Sequence, residues 1–169
     1  LTNCLALGAD RGVLITDRAL AGSDTLVTSR VLALALAKEN PDLIICGRNS
    51  TDGETGQVGP EVAALMGLPH ISHVRKLDLS ADGSGVVVER ITDEGFQVLE
   101  CDLPAVICVT EGVAPELYPN RDQMAEAENK PTQQVSCADL SDDISQFGAE
   151  GSPTWVEEIR PVSYTHLRA

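Results

Sequence analysis

The stretch DLIICGRNSTDGETGQVGPEVAALMGLP at residues 42–69 decides how the chain is read. Asp42 to Cys46 is a continuous apolar run after Pro41, of the kind found in a parallel strand covered on both faces. A glycine-rich loop, Gly47 to Gly59, follows, and Pro60 stands where a helix start tolerates a missing N–H. Val62, Ala63, Leu65 and Met66 give that helix an apolar side, and Gly67-Leu68-Pro69 ends it. In open α/β sheets, loops at the carboxyl ends of the strands are where ligands bind.

Working outward, Gly12 to Thr16 (GVLIT) reads as a short strand, and Asp24 caps a helix that runs to Lys38. Leu26, Val27, Val31, Leu34 and Leu36 recur at helical spacing with only Arg30 charged between them, so this helix is expected to be buried on most sides. Strand, helix, strand, loop and helix in this order predict a parallel α/β sheet. Beyond residue 70, Ser72 to Leu79, Gly85 to Ile91, Gly95 to Cys101 and Ala105 to Thr110 read as strands, with a hairpin signal at Thr92-Asp93-Glu94. The run AVICV after Pro104 is apolar throughout and is expected near the sheet centre.

Within the loop, Gly53, Gly56 and Gly59 permit positive φ and close backbone approach, so backbone N–H groups and the next helix N-terminus are suited to a phosphate. Arg48 is the only cation there, while Asn49, Ser50, Thr51, Thr55 and Gln57 offer neutral hydrogen-bonding groups. The loop is neither a Walker A sequence nor GxGxxG, and Asp52 and Glu54 repel a phosphate unless they cap backbone donors or bind a ribose. As a pattern alone it fits a tight connection as well as a binding loop. His70, His73 and His166 have no Cys, Asp or Glu at ligand spacing, so a surface or satisfied-core role is expected for them. No catalytic constellation can be assembled from spacing.

Charge excludes other classes. The 169 residues carry 26 acids against 12 bases, a formal net charge of −14, which argues against nucleic-acid binding through a basic surface. Aromatics are only 3%, so stacking platforms for single strands are not expected either. Residues 111–158 hold 11 acids and 2 bases, and residues 111–150, with prolines at 115, 119 and 131, are expected to form an extended, solvated arm. A patch at Trp155 and Val156 is suited to packing the arm's end onto something.

No apolar run approaches the roughly 20 residues of a membrane span. The five cysteines lie at unrelated spacings, so a disulfide framework is not expected and a reducing cytoplasm fits. The first residue is Leu1 at what reads as the end of a helix, which suggests further sequence upstream.

At the glycine-rich loop the sequence resembles the β (small) subunit of electron transfer flavoproteins. The resemblance extends through GAD (8–10), ITDRALAGSDT (15–25), residues 42–69, LPAVICVTEG (103–112) and GSPT (151–154), in the family's order. It implies a Rossmann-like α/β nucleotide-binding domain over 1–110, an arm over 111–161 that contacts an α subunit, and a heterodimer that carries electrons without catalysing bond chemistry. It places an adenine nucleotide on Cys46, Gly47, Arg48, Asn49, Ser50, Thr51, Asp52, Gly53, Glu54, Thr55, Gly56, Gln57 and Val58. That nucleotide is AMP, or a second FAD in electron-bifurcating members, beside the redox FAD held mainly by α. The TDRALAGSDT and DGETGQVGPE stretches resemble the bifurcating branch.

Departures bear on partners. The family's NEPRYP segment, leucine anchor and basic run correspond here to Ala114–Pro119, Arg121 and Glu126–Pro131, which counts against docking an acyl-CoA dehydrogenase in the usual way. The family's N-terminal strand and Lys-Gln-Val-Pro loop have no counterpart, so a fragment is expected, and residues 162–169 look like a non-native tail. The competing readings are a stand-alone nucleotide-binding regulatory module resembling universal stress proteins, and part of an enzyme whose catalytic half lies elsewhere.

Overall fold

A computed structural model of the chain describes residues 1–51 and 53–159. The expected tail at 162–169 and the site residue Asp52 lie outside the described residues. The chain opens with α1 (Thr2–Ala6), β1 (Gly12–Ile15), α2 (Thr25–Glu39), β2 (Leu43–Gly47) and α3 (Val58–Met66). Four strands follow, β3 (His70–Leu79), β4 (Gly85–Thr92), β5 (Gly95–Asp102) and β6 (Ala105–Val109). The last part holds α4 (Arg121–Ala127), β7 (Thr132–Val135), α5 (Cys137–Leu140) and α6 (Gly148–Gly151).

Local chemistry accounts for the boundaries. Asp24 caps α2 by accepting from the Val27 N–H, and Asn40 closes it in the left-handed conformation just before Pro41. Residues 25–36 of α2 include no exposed position, as its composition predicted. Gly67, at φ 67°, ends α3 in the same left-handed way.

The α/β class holds, but the sheet differs from the one expected. Strands β2, β6, β3, β4 and β5 form one five-stranded sheet in that order, and β1 pairs with β7 in a separate parallel pair. The pairs β2–β6 and β6–β3 are parallel, whereas β3–β4 and β4–β5 are antiparallel. The apolar run 105–109 lies between β2 and β3, with Ala105, Val106, Ile107 and Cys108 all buried. Strand β2, expected to be covered on both faces, is instead the outer strand of its sheet, and Ile45 is 56% exposed. Its inner face packs Ile44 against Ala63 and Val106.

The region expected as an extended arm is extended only in part. Residues 111–120 and 152–159 lie outside helices and strands, but β7 pairs with β1 along its whole length. Val135, Cys137, Leu140 and Phe147 pack with Val27 and Val31 of α2 in one buried cluster. Phe147 is 2% exposed. Trp155 and Val156 do not pack an arm end onto this chain: they are 78% and 76% exposed.

Asp24 also ties the start of α2 to residues 152–154. Its Oδ2 accepts from the Thr154 N–H at 3.1 Å and the Thr154 hydroxyl at 2.8 Å, while its own N–H donates to Ser152 Oγ at 2.9 Å. Desolvation opposes its ionisation, but the donors from Val27 and Thr154 outweigh it and hold the carboxyl below its ordinary range. Asp17 is lowered too, chiefly by the Ala19 and Cys137 N–H groups, and donors from Ser84 and Ser80 bring Asp82 down to about 2.

The sign follows from those directions. Carboxylates lowered in the folded state stabilise it above their unfolded values and lose that contribution as pH falls through the folded ones. Melting followed by circular dichroism is therefore expected to show stability falling below about pH 4. Asp24→Ala is expected to cost about 1–2 kcal/mol at neutral pH, as a helix cap does, and to weaken this acid dependence.

Candidate functional site

The glycine-rich loop leaves β2 at Gly47 beside the end of β6 and enters α3 at Val58. Two turns shape it. Glu54 and Gly56 both take positive φ, 51° and 65°, and the Glu54 N–H closes a turn on the Ser50 carbonyl at 3.0 Å. At Gly56 it is the left-handed backbone that favours glycine, since a Cβ there would meet only the Arg48 carbonyl oxygen at an ordinary 3.5 Å.

The start of α3 is fixed from below by α2. Glu61 accepts from the Thr25 hydroxyl at 3.2 Å and from the Ser29 hydroxyl at 2.8 Å, and Ser29 is fully buried. The Thr25 hydroxyl also lies 3.2 Å from Gln57 Oε1. Gln57, at the N-cap position, makes no side-chain capping bond, which leaves the first turn of α3 uncapped by side chains. Gly59 is buried against β6, and a Cβ there would sit 2.3 Å from Cys108 Sγ. Close packing at Gly59 thus brings the helix N-terminus down onto the strand ends.

Two cavities open beside this loop. One, of about 410 Å³, is lined by Arg48, Asn49, Glu54, Thr55 and Gly56 from the loop, with Ser72, His73 and Cys108. The other, of about 590 Å³, is lined by Gly47, Arg48, Asn49 and His73, with Ile91, Val109, Thr110 and Glu111. Arg48 is oriented by its neighbour, its Nε donating to Asn49 Oδ1 at 2.9 Å.

Of the residues singled out from sequence, Gly47, Arg48, Asn49, Glu54, Thr55 and Gly56 line these cavities. Ser50, Thr51 and Gly53 lie on the exposed outer turn, Gln57 faces Thr25, and the Val58 carbonyl lies 3.3 Å from Ser29 Oγ. Cys46 lines a different, apolar cavity of about 460 Å³ between β1 and β2. Burial pushes its thiol up, as does the neighbouring Cys108, and burial also raises Cys108, so both stay protonated near neutrality.

Sequence reasoning missed the far wall. Ser72, His73, Ile91, Cys108, Thr110 and Glu111 all reach the cavities; His73 is exposed, in keeping with the surface role expected of it, but its place in the site is not marked in the sequence. Thr110 and Glu111 follow the apolar run 105–109, so the rule that ligands gather at strand carboxyl ends could have found them. Nothing local in the sequence marks Ser72 and His73: they lie where the pairing of β3 with β6 shifts register, between Ile71 and Val74.

The family model for the electron transfer flavoprotein domain matches residues 1–140. The chain belongs to the electron transfer flavoprotein family. Among its relatives is the electron transfer flavoprotein subunit beta of Thermoanaerobacterium thermosaccharolyticum, 36% identical over 157 residues, covering 92% of this chain and 60% of that one. Protein FixA of Azorhizobium caulinodans is 38% identical over 169 residues, covering 94% and 59%. The acryloyl-CoA reductase electron transfer subunit gamma of Anaerotignum propionicum is 33% identical over 162 residues, covering 91% and 60%. The chain thus spans about 60% of the length of these curated relatives, and its similarity to electron transfer flavoprotein β subunits accords with the resemblance read from the loop. Among the described residues, no helix is long and apolar enough to cross a membrane.

Left-handed residues at Glu54 and Gly56 and the oriented Arg48 guanidinium thus line one cavity, in a loop that leads into a helix start without a side-chain cap.

Proposed function

We propose that the chain is the larger part of an electron transfer flavoprotein β subunit that pairs with an α subunit in the cytoplasm and carries electrons between dehydrogenases and acceptors. Its loop at residues 47–58 holds AMP or a second FAD. What supports this reading is that two left-handed residues, Glu54 and Gly56, line one cavity with Arg48, in a loop that leads into a helix start without a side-chain cap. Bound FAD supplies the redox chemistry, and the protein's part is to bind, orient and shield it.

In this reading the phosphate lies against the backbone N–H groups at the start of α3, with Arg48 compensating its charge. Thr55 and Asn49 offer hydrogen bonds along the same cavity wall. Partner contact falls to the segments outside regular elements, where Leu117, Tyr118, Trp155, Val156 and Ile159 are all exposed. Large apolar side chains left open in this way are what an interface covers. Residues 114–131 lack the family's basic docking run, so an acyl-CoA dehydrogenase is a less suitable partner than another electron donor.

The test is to co-express the full-length subunit with its α partner and extract the bound nucleotides. One FAD with one AMP per heterodimer supports simple carriage, and two FAD support a bifurcating complex. A purified heterodimer with neither flavin nor AMP refutes the proposal.

A further inference from the structure

His73 is the one side chain shared by both cavities that the loop does not supply. The two cavities have three lining residues in common, Arg48, Asn49 and His73, and everything else differs between them. These three therefore form the boundary across which any ligand longer than one cavity must pass.

The backbone of His73 is unusual in a way that bears on this. Its φ is 62°, left-handed for a residue with a side chain, and it sits where β3 shifts register against β6. Irregularities of this kind re-aim a side chain, and a non-glycine residue in the left-handed region points to function when its surroundings hold it there. The imidazole is exposed, and among the described residues it has no hydrogen-bond partner. The fold thus presents a ring donor at the cavity boundary without using it for packing.

Polar and apolar groups mix in both cavities: Glu54 and Thr55 stand with Cys108 in the first, and Ile91 and Val109 with Thr110 and Glu111 in the second. Between them stands the guanidinium of Arg48, oriented by Asn49, which offers charged donors at the boundary, while the carboxylates Glu54 and Glu111 line one cavity each.

We propose that His73 is a ligand-selecting residue: it donates a hydrogen bond to the diphosphate bridge of a dinucleotide that extends from one cavity into the other, opposite Arg48. A mononucleotide occupies one cavity and leaves His73 at its rim. The inference rests on the nucleotide reading above and adds a residue and a size preference to it.

The test uses the full-length subunit purified with its α partner and stripped of the nucleotide in this site, titrated calorimetrically with FAD and with AMP. His73→Gly and His73→Asn both suit a positive φ, so neither is expected to lower the melting temperature. Both variants should bind FAD about tenfold more weakly, the loss typical of one hydrogen bond to a charged group. AMP affinity should stay where it was. Unchanged FAD affinity in both variants, or equal losses for FAD and AMP, overturns the proposal. A parent heterodimer that binds neither nucleotide here refutes the underlying reading instead.

Discussion

Replacing Gly59 by valine is expected to lower the unfolding free energy by about 3 kcal/mol, the upper range for overpacking a well-filled site. The reason is local and steric. A Cβ at Gly59 would lie 2.3 Å from Cys108 Sγ and 3.4 Å from Cys46 Cβ, with α3 on one side and paired strands on the other. Cys108 Sγ ends a short side chain that is 2% exposed, so it has little room to turn aside and the helix start has to lift from β6. Denaturant unfolding followed by circular dichroism measures the loss. The double variant Gly59→Val with Cys108→Ala should recover part of it, because removing the sulfur opens the space. A double variant no more stable than Gly59→Val would show that the clash is not the cause.

The second large effect falls on binding. Gly56→Asp is expected to weaken nucleotide binding by about two orders of magnitude, because it adds a carboxylate to the partly screened site proposed for an anionic ligand. Aspartate tolerates the left-handed conformation better than most residues, so the fold should survive and the far-ultraviolet spectrum should not change. Gly56→Ala separates the two contributions: it brings backbone strain and a Cβ near the Arg48 carbonyl without charge, and its loss should be smaller. Nucleotide content of the purified heterodimer is the readout. An aspartate variant that retains its full complement would remove the loop from the binding site.

Much of this was legible in the sequence because punctuation and periodicity agree there. Asp24, Pro41, Gly67 and Pro69 bracket α2, β2 and α3, and the two-residue turn at Asp93-Glu94 joins β4 to β5. Side-chain periodicity reports burial, not a strand's neighbours, so the apolar run DLIIC looked central although it forms an outer strand. The packing of 132–147 was illegible for a different reason. Its elements are four residues or fewer, too short for a period, and Val135, Leu140 and Phe147 read as isolated apolar residues until β7 is set beside β1. In the site, the loop was visible because glycine marks it. The opposite wall was not, because His73 owes its position to a register shift that only strand pairing reveals.

The tie between Asp24 and residues 152–154 has a consequence for the order in which the molecule is completed. Asp24 lies 128 and 130 positions from Ser152 and Thr154, so closing that loop is entropically expensive, and a few hydrogen bonds at or near the surface do not repay it alone. The tie becomes favourable only after β7 has joined β1 and Phe147 has packed onto α2, which bring the two ends within reach. Residues 152–154 therefore act as a clasp that fastens last. Trp155 and Val156 lie immediately beyond it, so the exposed apolar end is brought close to α2 only on a chain whose β7 and Phe147 are already in place.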